Sequence, residues 1–136
     1  MYEVFEHTAD IGLRITAPDL AGLFAEAARG LFSLIVENLE DVRDRERVRI
    51  ELEEQDPPLL LLDWLKELLF RMDRDHLLLA RFEVKLEGAR LEAEASGERI
   101  DSERHRLDHE VKAITYHGLK VERTEGGWLA EVIVDI

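Results

Sequence analysis

The segment AITYHGLKVERTEGGWLAEVIVDI, residues 113–136, decides the fold, because apolar and polar residues alternate along most of it. Its middle, Thr-Glu-Gly-Gly at residues 124–127, supplies glycines for the positive φ angles of a hairpin turn. The pattern therefore predicts a β-hairpin whose second strand runs to the end of the sequence. Terminal residues usually fray unless a sheet holds them, so we expect Asp135 to occupy a fixed position.

The rest of the chain shows the periodicities of strands and of two amphipathic helices. The second helix is apolar on more than one face, which predicts that it packs between two layers or against another element rather than on an open surface. A charged connection is expected over Glu37–Arg45 and an irregular or briefly helical segment over Asp101–Glu110. We expect strands near Tyr2–Val4, Gly12–Ile15, Val48–Glu53, Leu77–Leu86 and Ala89–Ile100, and helices over Asp19–Ile35 and Asp56–Arg74.

These elements predict an α+β fold with two helices packed on a mainly antiparallel sheet. The length of 136 residues and a hydrophobic content of 46% suggest a single domain, residues 1–136, with a core that needs no cross-links. No amino-terminal signal pattern is present, and the leucine run Leu59–Leu62 is far too short to cross a bilayer. We therefore expect a soluble, cytoplasmic protein with no membrane partner.

The charge and the absence of cysteine exclude several kinds of site. With 0 cysteines the chain has no disulfide, no thiol nucleophile and no cysteine-containing zinc site. A net charge of −13 opposes direct binding to nucleic acid, because phosphates require a basic footprint. The same charge suits a basic protein partner or a bound cation.

Most catalytic signatures are absent: there is no phosphate-binding loop with a lysine, no G-x-S-x-G and no H-E-x-x-H. Ser102 near His105 is the only nucleophile and base candidate, and it lacks an obvious oxyanion hole. His105 and His109 are spaced to bind a metal with Asp108 on one helical turn. In both cases an exposed, charged loop is the favoured interpretation.

Asp10 and Asp135 form a more specific candidate site. Each interrupts an apolar context, Asp10 at a strand break and Asp135 at a strand end, where aspartate has a poor strand propensity. If the two strands are neighbours, these carboxylates and the terminal carboxylate would converge. Such crowded negative charge requires a cation or protons, and its hard oxygen ligands favour Ca²⁺ or Mg²⁺. The alternative, in which Asp10 caps a turn and Asp135 is merely exposed, has about even weight from spacing alone.

Four motifs give the sequence a resemblance to a known family. They are His7-Thr8-Ala9-Asp10-Ile11-Gly12, Asp63-Trp64-Leu65, Lys112-Ala113-Ile114-Thr115-Tyr116-His117 and Val134-Asp135-Ile136. In this combination and order the chain resembles the archease family over essentially its whole length. The resemblance implies a strand-helix-strand-strand module with a second, similar unit inserted.

The same resemblance implies a function. Archeases are non-catalytic cofactors of the tRNA-splicing RNA ligase, which joins a 3′-phosphate or 2′,3′-cyclic-phosphate end to a 5′-hydroxyl end. They promote guanylylation of the ligase and its multiple turnover. A metal site is implied at Asp10, Asp135 and Ile136, the last through its terminal carboxylate or backbone oxygen. Calcium is the expected ion, with Mg²⁺ or Mn²⁺ as alternatives, and Lys112 is a candidate contact to the ligase.

Two other functions remain open at this point. A metal-dependent phosphoesterase would use Asp10 and Asp135 to activate water. A chaperone-like binding module would recognise proteins other than the ligase. The sequence leaves the oligomeric state and the ligase-binding surface open.

Overall fold

A computed structural model describes residues 1–7 and 10–136 of the chain. In chain order the elements are β1 (Tyr2–His7), β2 (Asp10–Ala17), α1 (Leu20–Ile35), a single 3-10 turn (Leu39–Asp41), β3 (Glu46–Glu53), α2 (Pro57–Asp75), β4 (Leu77–Glu87), β5 (Arg90–Arg99), β6 (Ala113–Thr124) and β7 (Gly127–Asp135). The predicted helices and hairpins are confirmed, with ends shifted by a few residues.

The strands form two antiparallel sheets within the described residues. The first sheet has the order β1-β2-β7-β6 and the second the order β3-β5-β4. The predicted α+β class is confirmed, whereas the division of the strands between two sheets was not predicted.

The two sheets belong to two units of similar topology. The unit β3-α2-β4-β5 is inserted between α1 and β6, and the remaining elements β2-α1-β6-β7 have the same order of strand, helix, strand and strand. In both units the last strand lies between the other two. The predicted insertion of a similar unit is therefore confirmed, with β1 added at the edge of the first sheet.

Both helices contact both sheets. Helix α1 packs on β2 and on β4, and α2 packs on β6, β3 and β4. The Phe82 ring of β4 lies 6.0 Å from Phe32 of α1 and 6.3 Å from Trp64 of α2, measured between centroids. The buried Trp64 indole donates a hydrogen bond of 2.9 Å to the Phe24 carbonyl. The prediction that the second helix lies between layers is thus confirmed.

The helix ends follow local rules. Asp19 caps α1 by accepting a 2.6 Å hydrogen bond from the Gly22 N–H. Pro57 opens α2, and His76 closes it in the left-handed conformation with φ of 53°. Among the described residues, no helix is long and apolar enough to span a membrane.

Candidate functional site at the paired aspartates

Asp10 and Asp135 lie directly opposite each other on β2 and β7. Opposed residues of antiparallel strands project from the same face of the sheet, with Cβ atoms about 4.5–5.5 Å apart. Asp10 is half-buried and Asp135 is exposed. Two like charges at this separation destabilise a sheet unless a cation or another positive group compensates them. The convergence expected from the sequence is therefore confirmed for the two aspartates.

The pair lies on the sheet face that points away from the helices. In β2 the residues that alternate with Asp10, such as Leu13 and Ile15, are fully buried in the core, as are their partners Val132 and Ala130 in β7. A charged side chain on that inner face would be enclosed among apolar groups. The register therefore keeps the aspartates at the surface.

Phe5 covers the next position on this outer face. Its partner in β2 is Gly12, and a side chain at Gly12 would overlap the phenyl ring. The Arg14 guanidinium lies 4.9 Å above the ring centroid. Glycine thus allows an aromatic ring to lie flat beside the aspartate pair.

A charge network continues the outer face beyond Phe5. Arg14 donates two hydrogen bonds to Glu131, and the Lys120 ammonium lies 3.2 Å from the same carboxylate. Partial burial would raise the pKa of Glu131, but the hydrogen bonds from Arg14 and Lys120 outweigh it and lower the pKa. These paired charges fix the surface around the aspartates.

Lys112 and Ile136 adjoin the pair. The Lys112 N–H donates a 2.8 Å hydrogen bond to the Asp135 carbonyl, and the Lys112 side chain is exposed. Ile136 is half-buried and packs against the core. The predicted site residues therefore meet at one end of the first sheet. Thr8 and Ala9 of the first sequence motif lie outside the described residues.

The segment that leads to Lys112, residues 100–112, has little regular structure but many fixed contacts. We call it the connecting segment. It runs beside the end of α1, where backbone hydrogen bonds join Glu37 to Arg106, Asp108 to Ile35 and His109 to Leu34. These bonds determine where Lys112 lies relative to Asp135.

A buried polar cluster anchors the other end of the connecting segment. The Glu98 carboxylate accepts hydrogen bonds from Arg104 Nη1 at 2.7 Å and from the Arg43 N–H at 2.7 Å, and His105 Nε2 lies 3.1 Å away. His105 Nδ1 accepts the Asp101 N–H at 2.9 Å, so its proton resides on Nε2 and is donated to Glu98.

Burial alone would raise the pKa of Glu98, but its three donors outweigh that effect. The hydrogen bonds from Arg104, the Arg43 backbone and His105 lower the pKa to about 2. Asn38, which is 1% exposed, completes the anchor by donating to the Arg104 carbonyl and accepting the Arg106 N–H.

These anchoring residues were not predicted from the sequence. Strand alternation places Glu98 on the side opposite Ala93 and Ala95, which suggests solvent exposure. Asn38 is one of only two side-chain amides in the chain, and its rarity was the only available signal.

The expectation of an exposed loop is wrong for His105, which is 3% exposed. Because both of its ring nitrogens are engaged, it is not available as a base for Ser102. His109 Nε2 lies 3.8 Å from Asp108 Oδ1 at the surface, so the expectation of an exposed loop is confirmed for these two residues.

The aspartate pair has the right ligand atoms for a hard cation, but two side chains are too few to complete its coordination. Its donors are oxygens, which suit Ca²⁺ or Mg²⁺. Among the side chains that the structure describes, which do not include those of residues 6–9, no three histidine, aspartate or glutamate side chains cluster as metal ligands. A cation between Asp10 and Asp135 would therefore take further oxygens from Ile136, the backbone or water.

Known proteins resemble this chain along its whole length. Residues 2–136 match the Archease protein family (MTH1598/TM1083). Archease from Methanopyrus kandleri is 45% identical over 139 residues, covering 99% of each chain. Archease from Pyrococcus abyssi is 42% identical over 140 residues, covering 99% of this chain and 98% of its own.

Two solved structures share the fold. The solution structure of Methanobacterium thermoautotrophicum protein 1598 is 35% identical, with a TM-score of 0.89 and coverage of 99% of this chain and 98% of its own. The crystal structure of a Thermotoga maritima archease, described as a possible chaperone, has a TM-score of 0.70 at 23% identity. It covers 100% of this chain and 98% of its own, and it supports the fold alone.

Proposed function

The chain belongs to the archease family, and from this membership we propose that it is a non-catalytic activator of the tRNA-splicing RNA ligase. Its role is to promote guanylylation of the ligase and repeated turnover on RNA ends. The observation that carries the proposal is the direct opposition of Asp10 and Asp135 on paired strands. It supports an acidic contact that the ligase, rather than RNA, recognises, since the net charge is −13.

We propose Ca²⁺ as the cation bound by Asp10, Asp135 and an oxygen of Ile136, with Mg²⁺ and Mn²⁺ as alternatives. A bound cation would relieve the repulsion between the two carboxylates. Lys112, fixed by its backbone bond to Asp135, is proposed to contact the ligase or its nucleotide.

The proposal is tested by multiple-turnover RNA ligation with substoichiometric amounts of this protein. We expect Asp10→Asn and Asp135→Asn to reduce activation tenfold or more, because a ligand is lost without a change of shape. Asp73→Asn, on the exposed surface of α2, is the matched control and should activate normally. Full activation by folded Asp10→Asn and Asp135→Asn variants would contradict the proposal.

Cation binding has its own measurement. Ca²⁺ should raise the melting temperature of the wild-type protein, because a ligand of the folded state stabilises it. The same addition should leave the melting temperature of Asp135→Asn nearly unchanged. An equal rise in both proteins would exclude Asp135 as a ligand.

The two alternatives predict different results in simple assays. A phosphoesterase would cleave phosphate esters by itself with Mg²⁺ or Mn²⁺, and would lose that activity in Asp10→Asn. A chaperone-like module would stabilise unrelated proteins as well as it stabilises the ligase. We expect neither result.

A further inference from the structure

We propose that Tyr116 and Leu107 are the apolar anchors by which this chain docks on the ligase, in the same interface as the aspartate pair. The inference rests on the proposed function and names the surface that the ligase contacts. The partner that fits is a protein surface with apolar pockets beside a basic centre.

Both residues are large, apolar and unusually exposed. Tyr116 is 65% exposed and Leu107 is 53% exposed. In the sequence they lie on either side of Lys112, whose N–H donates to the Asp135 carbonyl, and of Ala113, which pairs with Asp135. At roughly 3.5 Å per residue, Tyr116 lies within about 11 Å of Ala113 along the chain, and Leu107 within about 18 Å of Lys112.

The exposure of Tyr116 comes from a defined bulge in β6, residues 116–119. Between two pairings with β7, β6 advances five residues while β7 advances two. Gly118 adopts a φ of 71° within the bulge and approaches Ile133, which is 5% exposed although it lies on the outer face. The bulge thus covers Ile133 and leaves Tyr116 in solvent.

Protection of the sheet edge explains the bulge but not the tyrosine. β6 is an edge strand, and bulges prevent such edges from pairing with other chains. A charged residue at the most exposed position would serve that purpose better than an aromatic ring. Tyrosine is instead enriched among the residues that dominate binding energy at protein interfaces.

A contact within the chain explains why another aromatic residue, Phe70, is exposed. The Arg74 guanidinium lies 4.9 Å above its ring. The Tyr116 side chain makes no ring contact or hydrogen bond to another residue that the structure describes. It is therefore free to fill a pocket on a partner.

Charge complementarity favours a basic surface on the ligase. Asp135 pairs with Ala113, three residues from Tyr116, and lies opposite Asp10 in a chain of net charge −13. Such charges steer and orient an encounter, while buried aromatic and aliphatic side chains supply most of the affinity. Two exposed apolar side chains and a nearby pair of charges are the usual components of a specific protein interface.

The test is a titration of the ligase with fluorescently labelled protein. Tyr116→Ser and Leu107→Ser should each raise the Kd tenfold or more, with melting temperatures within about 2 °C of wild type. Tyr116→Phe should bind nearly as well as wild type, because the ring is kept. Phe70→Ser is the matched control and should bind with the wild-type Kd.

A second measurement does not depend on variants that remove the side chain. A benzophenone amino acid at position 116 should cross-link to the ligase, whereas the same group at position 70 should not. Wild-type affinity in both Tyr116→Ser and Leu107→Ser, or no cross-link from position 116 in a complex that forms, would overturn the inference and leave the proposed function intact. Failure of the wild-type protein to bind or activate the ligase would overturn both.

Discussion

Replacing Glu98 with glutamine should destabilise the fold strongly although the two side chains have nearly the same shape. Glu98 is 6% exposed, and three donors meet its carboxylate: Arg104, the Arg43 N–H and His105 Nε2. A glutamine offers one acceptor oxygen and an NH₂ group. One or more of these donors would then face another donor in a buried place, which costs about 1–3 kcal/mol.

The pKa of Glu98 gives a second value for the free energy that these same three hydrogen bonds contribute. A decrease from the ordinary value of 4.5 to about 2 corresponds to about 3 kcal/mol of stabilisation of the folded state at neutral pH. For a chain of 136 residues, a loss of 2–3 kcal/mol lowers the melting temperature by about 10 °C.

The pH dependence has a definite sign. Because the pKa of Glu98 is lower in the folded state than in the unfolded state, its contribution is fully present above pH 4.5 and is lost as the pH falls toward about 2. Glutamine does not titrate. The difference in melting temperature between wild type and Glu98→Gln should therefore shrink to less than half at about pH 3.

The assay is thermal unfolding by circular dichroism at pH 7, 5, 4 and 3, with urea unfolding if the transition is too high. Glu94→Gln is the matched control, because Glu94 is an exposed residue of the same strand, 3.2 Å from Arg47. Its effect should stay within about 0.5 kcal/mol. A melting temperature of Glu98→Gln within 2 °C of wild type at pH 7, or a difference that is independent of pH, would refute the reasoning.

Two further substitutions test packing near the centre of the fold. Gly97→Ala should lower the free energy of unfolding, measured with urea, by about 3 kcal/mol or more, because the new Cβ would overlap the Leu78 carbonyl of the neighbouring strand. The control is Gly126→Ala, whose Cβ would contact no other residue. Equal stability of the two variants would contradict the reasoning. Trp64→Phe should lower the free energy of unfolding by about 2 kcal/mol, since it removes the hydrogen bond to the buried Phe24 carbonyl and leaves a small cavity. A loss below about 0.5 kcal/mol would show that this bond contributes little.

The candidate site was partly predictable from the sequence. Asp10 and Asp135 were predicted as site residues because each interrupts an apolar context, which the few residues around it reveal. Their meeting depended on which strands are neighbours, and this came from the pairing of β2 with β7. The same pairing determines the face, since a shift of β7 by one residue would turn Asp135 toward the core.

The Glu98 cluster could not be predicted in this way. Its members come from the end of β5, the loop before β3 and the connecting segment, and no periodicity joins them. Histidine in a charged stretch suggests exposure, yet His105 is buried because Glu98 accepts its proton and Asp101 donates to its other nitrogen. Burial of a polar group depends on partners that are distant in sequence.

The helices, the hairpins and the acidic character of this protein follow directly from its amino-acid sequence. Strand and helix periodicities, caps and turn glycines act over a few residues, so they can be read from the chain directly. Three features emerge only when the chain folds: the division into two sheets, the opposition of Asp10 and Asp135 and the burial of His105. These features depend on strand register and on contacts between distant segments, which the whole fold selects together.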